Sequence, residues 1–92
     1  MLKSVYEKLN DLPVDTHQAI ADAHEGILIE MVNATKAHGP MVNRHEAYGI
    51  IAEEMEEFWE LVRRKHPPKE AMREELTQIA AMCLRAIVDL KL

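Results

Sequence analysis

Pro67-Pro68 does more than any other pair of residues to limit how this chain can fold. Proline has no backbone N–H and disfavours helical dihedrals in the residue before it, yet it opens a new helix readily. On both sides lie long stretches whose apolar residues recur at helical spacing. Before the pair run Ile51, Met55, Phe58 and Val62; after it run Met72, Leu76, Ile79, Ala80, Cys83, Ile87 and Leu90. The spacing predicts one helix starting after Asn43 and another from about Lys69 to Leu90. The short turn between them predicts antiparallel packing.

The same punctuation divides the rest of the chain. A short helix over residues 2–10 is expected to end near Asn10-Asp11-Leu12-Pro13. A long helix from about Thr16 to Lys36 carries Ile20, Ala23, Ile27, Leu28, Met31 and Ala34 at helical spacing, and Gly39-Pro40 ends it. Asp15 with Gln18, and Asn43 with Glu46, have the spacing of capping boxes. No segment alternates with a period of two, so no sheet is expected. The expectation is an all-α bundle forming a single domain over residues 1–92. It has three long helices and a short N-terminal one. A chain this short buries a modest core, and its broad apolar faces leave surface for a second subunit.

Charge and cysteine usage narrow the function classes. A formal net charge of −5 disfavours a nucleic-acid polymer as partner, while leaving a nucleotide carried with magnesium open. Cys83 is the single cysteine, so no internal disulfide can form. No signal peptide and no apolar run of membrane-spanning length is present, so no membrane is expected and the default location is cytoplasmic.

Two acidic clusters, Glu53-Glu54-Met55-Glu56-Glu57 and Glu74-Glu75-Leu76-Thr77-Gln78, stand on either side of the proline pair. At about 100° per residue, Glu54 falls inside the apolar stripe of its helix and Glu57 at its edge. Glu53, Glu56 and Glu60 point away. On the last helix Glu75 lies at the stripe edge, Gln78 further round the same side, and Glu74 and Arg85 point out. In an antiparallel pair both displaced sets share one edge. Both also sit at roughly 12–20 Å from the turn, at about 1.5 Å per residue. Glu54, Glu57, Glu75 and Gln78 are therefore expected to converge. Oxygen ligands without a His or Cys partner suit hard cations such as Mg²⁺ or Mn²⁺. Such a site suits metal-assisted phosphoryl or nucleotidyl chemistry.

Gly49-Ile50-Ile51-Ala52-Glu53-Glu54-Met55-Glu56-Glu57-Phe58 resembles the Glu-Glu-x-x-Glu helix of MazG-like nucleoside triphosphate pyrophosphohydrolases, and Glu74-Glu75-Leu76-Thr77-Gln78 resembles their second motif, Glu-x-x-Asp. With His38-Gly39-Pro40, His45-Glu46-Ala47-Tyr48 and Gln78 through Arg85, the likeness covers residues 36–90 and is nearest to a small phage and prokaryotic branch. It implies a MazG-type bundle completed as a homodimer or homotetramer. It implies Mg²⁺-dependent hydrolysis of a nucleoside triphosphate to the monophosphate and pyrophosphate. Carried over by position, Glu54, Glu57 and Glu75 would be metal ligands, and Glu53 would orient or activate water beside Glu54. The motif's closing Asp is Gln78 here, an amide oxygen that can bind a cation but adds no charge.

Arg63, Arg64, Lys65, Lys69 and Arg73 cluster around the proline turn. They read either as a solvated helix end or, through Lys69 and Arg73, as an attraction for triphosphate. Arg85 pairs with an acid or with phosphate in these readings. Trp59, Tyr48 and His24 read first as core or interface residues, and Glu30 as an acid that could complete the metal site across the bundle. Asp89 lies too far from Glu75 to share one site. Two competing functions stay open: an inactive relative that binds nucleotide or metal without hydrolysis, and a helical assembly protein whose acids are mere surface.

Overall fold

A computed structural model of the chain describes residues 7–92. Residues 7–9 are helical, and the rest of the helix expected over residues 2–10 lies outside the described residues. Three long helices follow: α1 (Val14–His38), α2 (Arg44–Val62) and α3 (Lys69–Asp89). No strand occurs among the described residues. No described helix is long and apolar enough to cross a membrane. The chain is all-α, and the proline pair breaks it where expected.

The two expected caps fare differently. Asn43 Oδ1 accepts from the Glu46 backbone N–H at 2.9 Å. Glu46 Oε2 in return accepts from the Val42 N–H at 3.2 Å, one residue before the position a capping box uses. The Asp15–Gln18 box does not form. Pro13 supplies the first carbonyl, accepting from His17 N–H, and α1 begins two residues early. Asp15 then falls within the first turn, where its charge still suits the helix dipole, and Gln18 bonds Asp22 instead.

Helix α3 is the centre of the fold. It packs along both α1 and α2, which meet mainly through it. The assembly is flat, 40 × 38 × 20 Å, and its radius of gyration of 15.0 Å exceeds the roughly 12 Å of a globular chain this long. The buried apolar set is small: four alanines (Ala34, Ala47, Ala81, Ala86) with Met41, Leu61 and Met82. Alanines let helices approach closely but remove little area from water.

The apolar stripes expected to form the core are covered only in part: Ile51 and Leu90 pack against the buried set, while others face outward. Met55 and Val62 on α2, and Leu76 and Ile87 on α3, are 39–51% exposed. On α2 the packed face runs through Ala47, Ile50, Glu54 and Leu61, rotated from the expected stripe by roughly 80° at 100° per residue. On α3 it runs through Gln78, Met82 and Arg85. Arg85, expected to point out, is 3% exposed. A single wheel direction fails for α3 because it meets two neighbours, and both meet it on the side that carries the polar residues.

The last turns of α3 hold the connector between α1 and α2. Arg85 Nη2 donates to the Gly39 carbonyl at 2.6 Å, and the Met41 N–H donates to Asp89 Oδ2 at 2.9 Å. Gly39 adopts φ 71°, a left-handed conformation that a side chain would strain. Asp89→Ala is expected to destabilise the chain by about 2 kcal/mol, the usual scale for a hydrogen bond to a charged group. Asp89→Asn, which keeps an acceptor, should cost about half as much. Denaturant midpoints measure both, and a wild-type midpoint for Asp89→Ala would remove Asp89 from this role.

Candidate metal centre

The displaced acids meet. One carboxylate oxygen from each of Glu54, Glu57 and Glu75 lies within 4.8 Å of the other two. Glu54 and Glu57 are one turn apart on α2, and Glu75 faces them from the first half of α3. The convergence follows from the antiparallel turn at Pro67-Pro68 and from the rotation of α2, which puts Glu54 at the centre of its packed face. Glu54 and Glu75 are partly buried, while Glu57 is exposed.

The electrostatics are unfavourable for carboxylates alone. Glu54 Oε2 and Glu75 Oε2 are buried and have no hydrogen-bond partner. Burial pushes the Glu54 carboxyl up to about 7, with the adjoining Glu75 and Glu57 carboxylates adding to it. Burial also raises Glu75. No cation offsets them: the one ion pair among the described residues joins Arg63 to Glu60 at 2.6 Å, on the exposed side of α2. Orphaned buried oxygens call for a partner. A hard divalent cation fits, since it takes oxygen ligands at about 2.0–2.6 Å and tolerates several carboxylates at once.

A pocket of about 290 Å³ is bordered by Glu54, one of the trio. α3 lines it through Gln78, Met82 and Arg85; α2 contributes Glu46, Ile50 and Glu54; α1 and its end contribute Glu30, Ala34, His38 and Gly39. Gln78 and Glu54 thus border one space, and Glu30 joins them from across the bundle. Glu53 is exposed and is not one of the three clustered acids. Lys69 and Arg73 lie elsewhere. Both are exposed and border a more apolar groove with Phe58, Met72 and Leu76, while Arg73 also reaches a shallow groove with Glu30, Thr77 and Gln78. Of the three expected substrate-binding cations, Arg85 alone borders the pocket beside the acids.

Sequence reasoning missed the part played by Glu46 and His38 in lining this pocket, and the burial of Arg85. A signal for Arg85 existed. It follows Gln78 by seven residues, two turns along the same side of α3.

Compared with known proteins, the chain matches no family model, no curated protein and no solved structure.

Proposed function

We propose that the chain is a divalent-metal-dependent nucleoside triphosphate pyrophosphohydrolase of MazG-like type, working as a homodimer or larger homo-oligomer. One observation carries the reading: two buried, unpartnered carboxylate oxygens, on Glu54 and Glu75, stand with Glu57 within 4.8 Å, and Glu54 also borders a pocket. Glu54, Glu57 and Glu75 would hold Mg²⁺ or Mn²⁺, with the Gln78 amide oxygen as a neutral fourth donor. A cation bound there would neutralise phosphate charge and make a bound water more acidic. The triphosphate would lie with its phosphates at the trio and the rest of the molecule in the pocket. In the reaction a water oxygen bonds to the α-phosphorus, the α–β phosphoanhydride bond breaks, and pyrophosphate leaves. Glu53, beside the trio in sequence but solvent-facing, would take the water's proton.

The oligomeric part rests on the outward apolar residues. Tyr48, Met55 and Trp59 on α2 are 76%, 51% and 53% exposed, at helical spacing, on a chain whose own core is mostly alanine. A second copy of the chain would cover them.

The test is pyrophosphate release from a panel of dNTPs and NTPs with Mg²⁺ or Mn²⁺. Turnover that needs the metal supports the proposal. The absence of both turnover and a metal-dependent thermal shift would defeat it. Gln78, in place of a fourth carboxylate, favours a second reading as a binder without hydrolysis. Nucleotide binding by calorimetry without product, with turnover gained in Gln78→Asp, would establish that one.

A further inference from the structure

A second groove, of about 460 Å³, lies apart from the pocket. Ala23 and Ile27 of α1, Phe58 of α2, and Met72 and Leu76 of α3 line it. Lys69 and Arg73 border it too, and both are exposed. Neither cation is ion-paired, since the one ion pair among the described residues joins Arg63 to Glu60.

Helix geometry places the groove. At about 100° per residue, Lys69, Met72 and Leu76 lie on the far side of α3 from Gln78, Met82 and Arg85. On α2, the pocket residues Glu46 and Ile50 turn one way from Glu54, while Met55 and Phe58 turn the other. Phe58 thereby joins the groove to the outward strip of Tyr48, Met55 and Trp59. Strip and groove share one face of a molecule 20 Å thick, and the residues lining the pocket belong to the other.

The two features complement each other. The strip is a ridge of apolar side chains more than half exposed, and Glu56 borders it beside Tyr48 and Met55. Glu56 is exposed and is not ion-paired either. An apolar groove bordered by two cations fits an apolar ridge that carries a carboxylate: apolar area leaves water at the centre, and opposite charges meet at the rim. A small anionic ligand would fill the groove and leave the ridge in water, whereas a second copy covers both. Ridge and groove lie on one chain and one face. Two copies facing each other across a two-fold axis can each insert a ridge into the other's groove, which closes the assembly as a dimer.

We propose that the chain forms a closed two-fold dimer in which the α2 ridge of each copy seats in the groove of the other, with Glu56 of one copy facing Lys69 and Arg73 of the other. The proposal rests on reading the outward strip of α2 as an oligomer interface, and it supplies that strip's partner surface, symmetry and charge pairs. It places Lys69 and Arg73 at the interface instead of on substrate. The acid trio and the pocket stay outside the interface, so each copy keeps a whole site.

Charge reversal followed by mixing tests it on the full chain. Wild type should sediment as a dimer at about 100 µM. Lys69→Glu combined with Arg73→Glu should weaken association at least about a hundredfold at low salt, because like charges then face each other at both contacts. Glu56→Arg should do the same. All three positions are exposed, and an acid in place of Lys69, in the first turn of α3, suits the helix dipole, so circular dichroism should show intact helices. If the double variant unfolds, Lys69→Glu alone takes its place. Mixing the reversed-groove variant with Glu56→Arg should restore the dimer, because each then offers the other opposite charges at both contacts. Variants that dimerise alone as wild type does, the result expected if the groove serves a small anionic ligand, would overturn this interface while leaving the oligomer standing. Variants that stay monomeric on mixing would overturn it too. A monomeric wild type would overturn both the interface and the oligomeric reading. Pyrophosphate release is read separately on the same samples: its absence beside restored dimers would defeat the hydrolase and support the interface.

Discussion

Glu54→Gln is expected to lower pyrophosphate release at least about a hundredfold and, at the same time, to raise the melting temperature of the metal-free protein at pH 8. Even residues that only orient a metal ligand cost up to about 100-fold when lost, so a ligand itself should cost no less. The stability gain has a separate origin. Burial and the neighbouring acids raise the Glu54 carboxyl from 4.5 to about 7. A carboxyl raised in the folded state is neutral in both states below pH 4.5 and contributes nothing there. As the pH climbs from about 4.5 to 7, the unfolded chain ionises more readily than the folded one and the fold loses stability, a loss that is complete above about 7. A tenfold weaker acid in the folded state corresponds to about 1.4 kcal/mol. Because Glu54 is only partly buried, solvent screening reduces the total to about 1–3 kcal/mol. Glutamine has no such charge, so its advantage should be on the order of 5 °C at pH 8 and vanish near pH 4.5. Mg²⁺ should reverse the order at pH 8, stabilising the wild type and leaving Glu54→Gln unmoved. Scanning calorimetry at both pH values, with and without Mg²⁺, separates these effects. A Glu54→Gln protein that melts below wild type at pH 8 without metal would show that the carboxylate is already partnered.

The second large effect concerns assembly. Tyr48→Glu combined with Met55→Glu should convert an oligomer into a monomer at micromolar concentration. Both side chains are more than half exposed in the single chain and sit two turns apart on the outward strip of α2. Removing an apolar side chain from water contributes about 1.5–3 kcal/mol. Replacing two of them, in each copy, with carboxylates removes that contribution and opposes it with desolvation. Association should weaken by at least about a thousandfold at 1.4 kcal/mol per factor of ten. Circular dichroism should still show the helices, since neither residue belongs to the packed face of α2. Sedimentation velocity reads the outcome: a wild type that sediments as a monomer at concentrations on the order of 100 µM would remove the interface.

The helices were legible because proline and glycine mark their ends. Pro67-Pro68 and Gly39-Pro40 act through the backbone of their own residues, which needs no knowledge of neighbours. The meeting of Glu54, Glu57 and Glu75 was legible for a related reason: a short turn fixes both the direction and the height of the flanking helices. Which face packs was not legible. Hydrophobic periodicity reports where apolar residues are, not which chain covers them. Met55, Leu76 and Ile87 read as core because periodicity marks them as apolar without saying which face a neighbouring helix covers, and all three are about half exposed. Arg85 was misplaced for the same reason, since a wheel drawn around the apolar stripe sends the opposite side to water. The structure instead sends that side to α1 and α2.

The alanines along the buried seam have a consequence for how this chain can gain stability. Ala81 is fully enclosed, and Ala34, Ala47 and Ala86 are nearly so. Their short side chains set the spacing between helices, so a longer one would wedge the helices apart rather than fill a gap. The interior is therefore saturated while still small. If the proposed function holds, further stability would come from outside the single chain, from another subunit against the apolar strips or from a bound cation and nucleotide. Folding would then be a concentration-dependent quantity, set by how many copies and how much ligand are present as well as by the sequence itself.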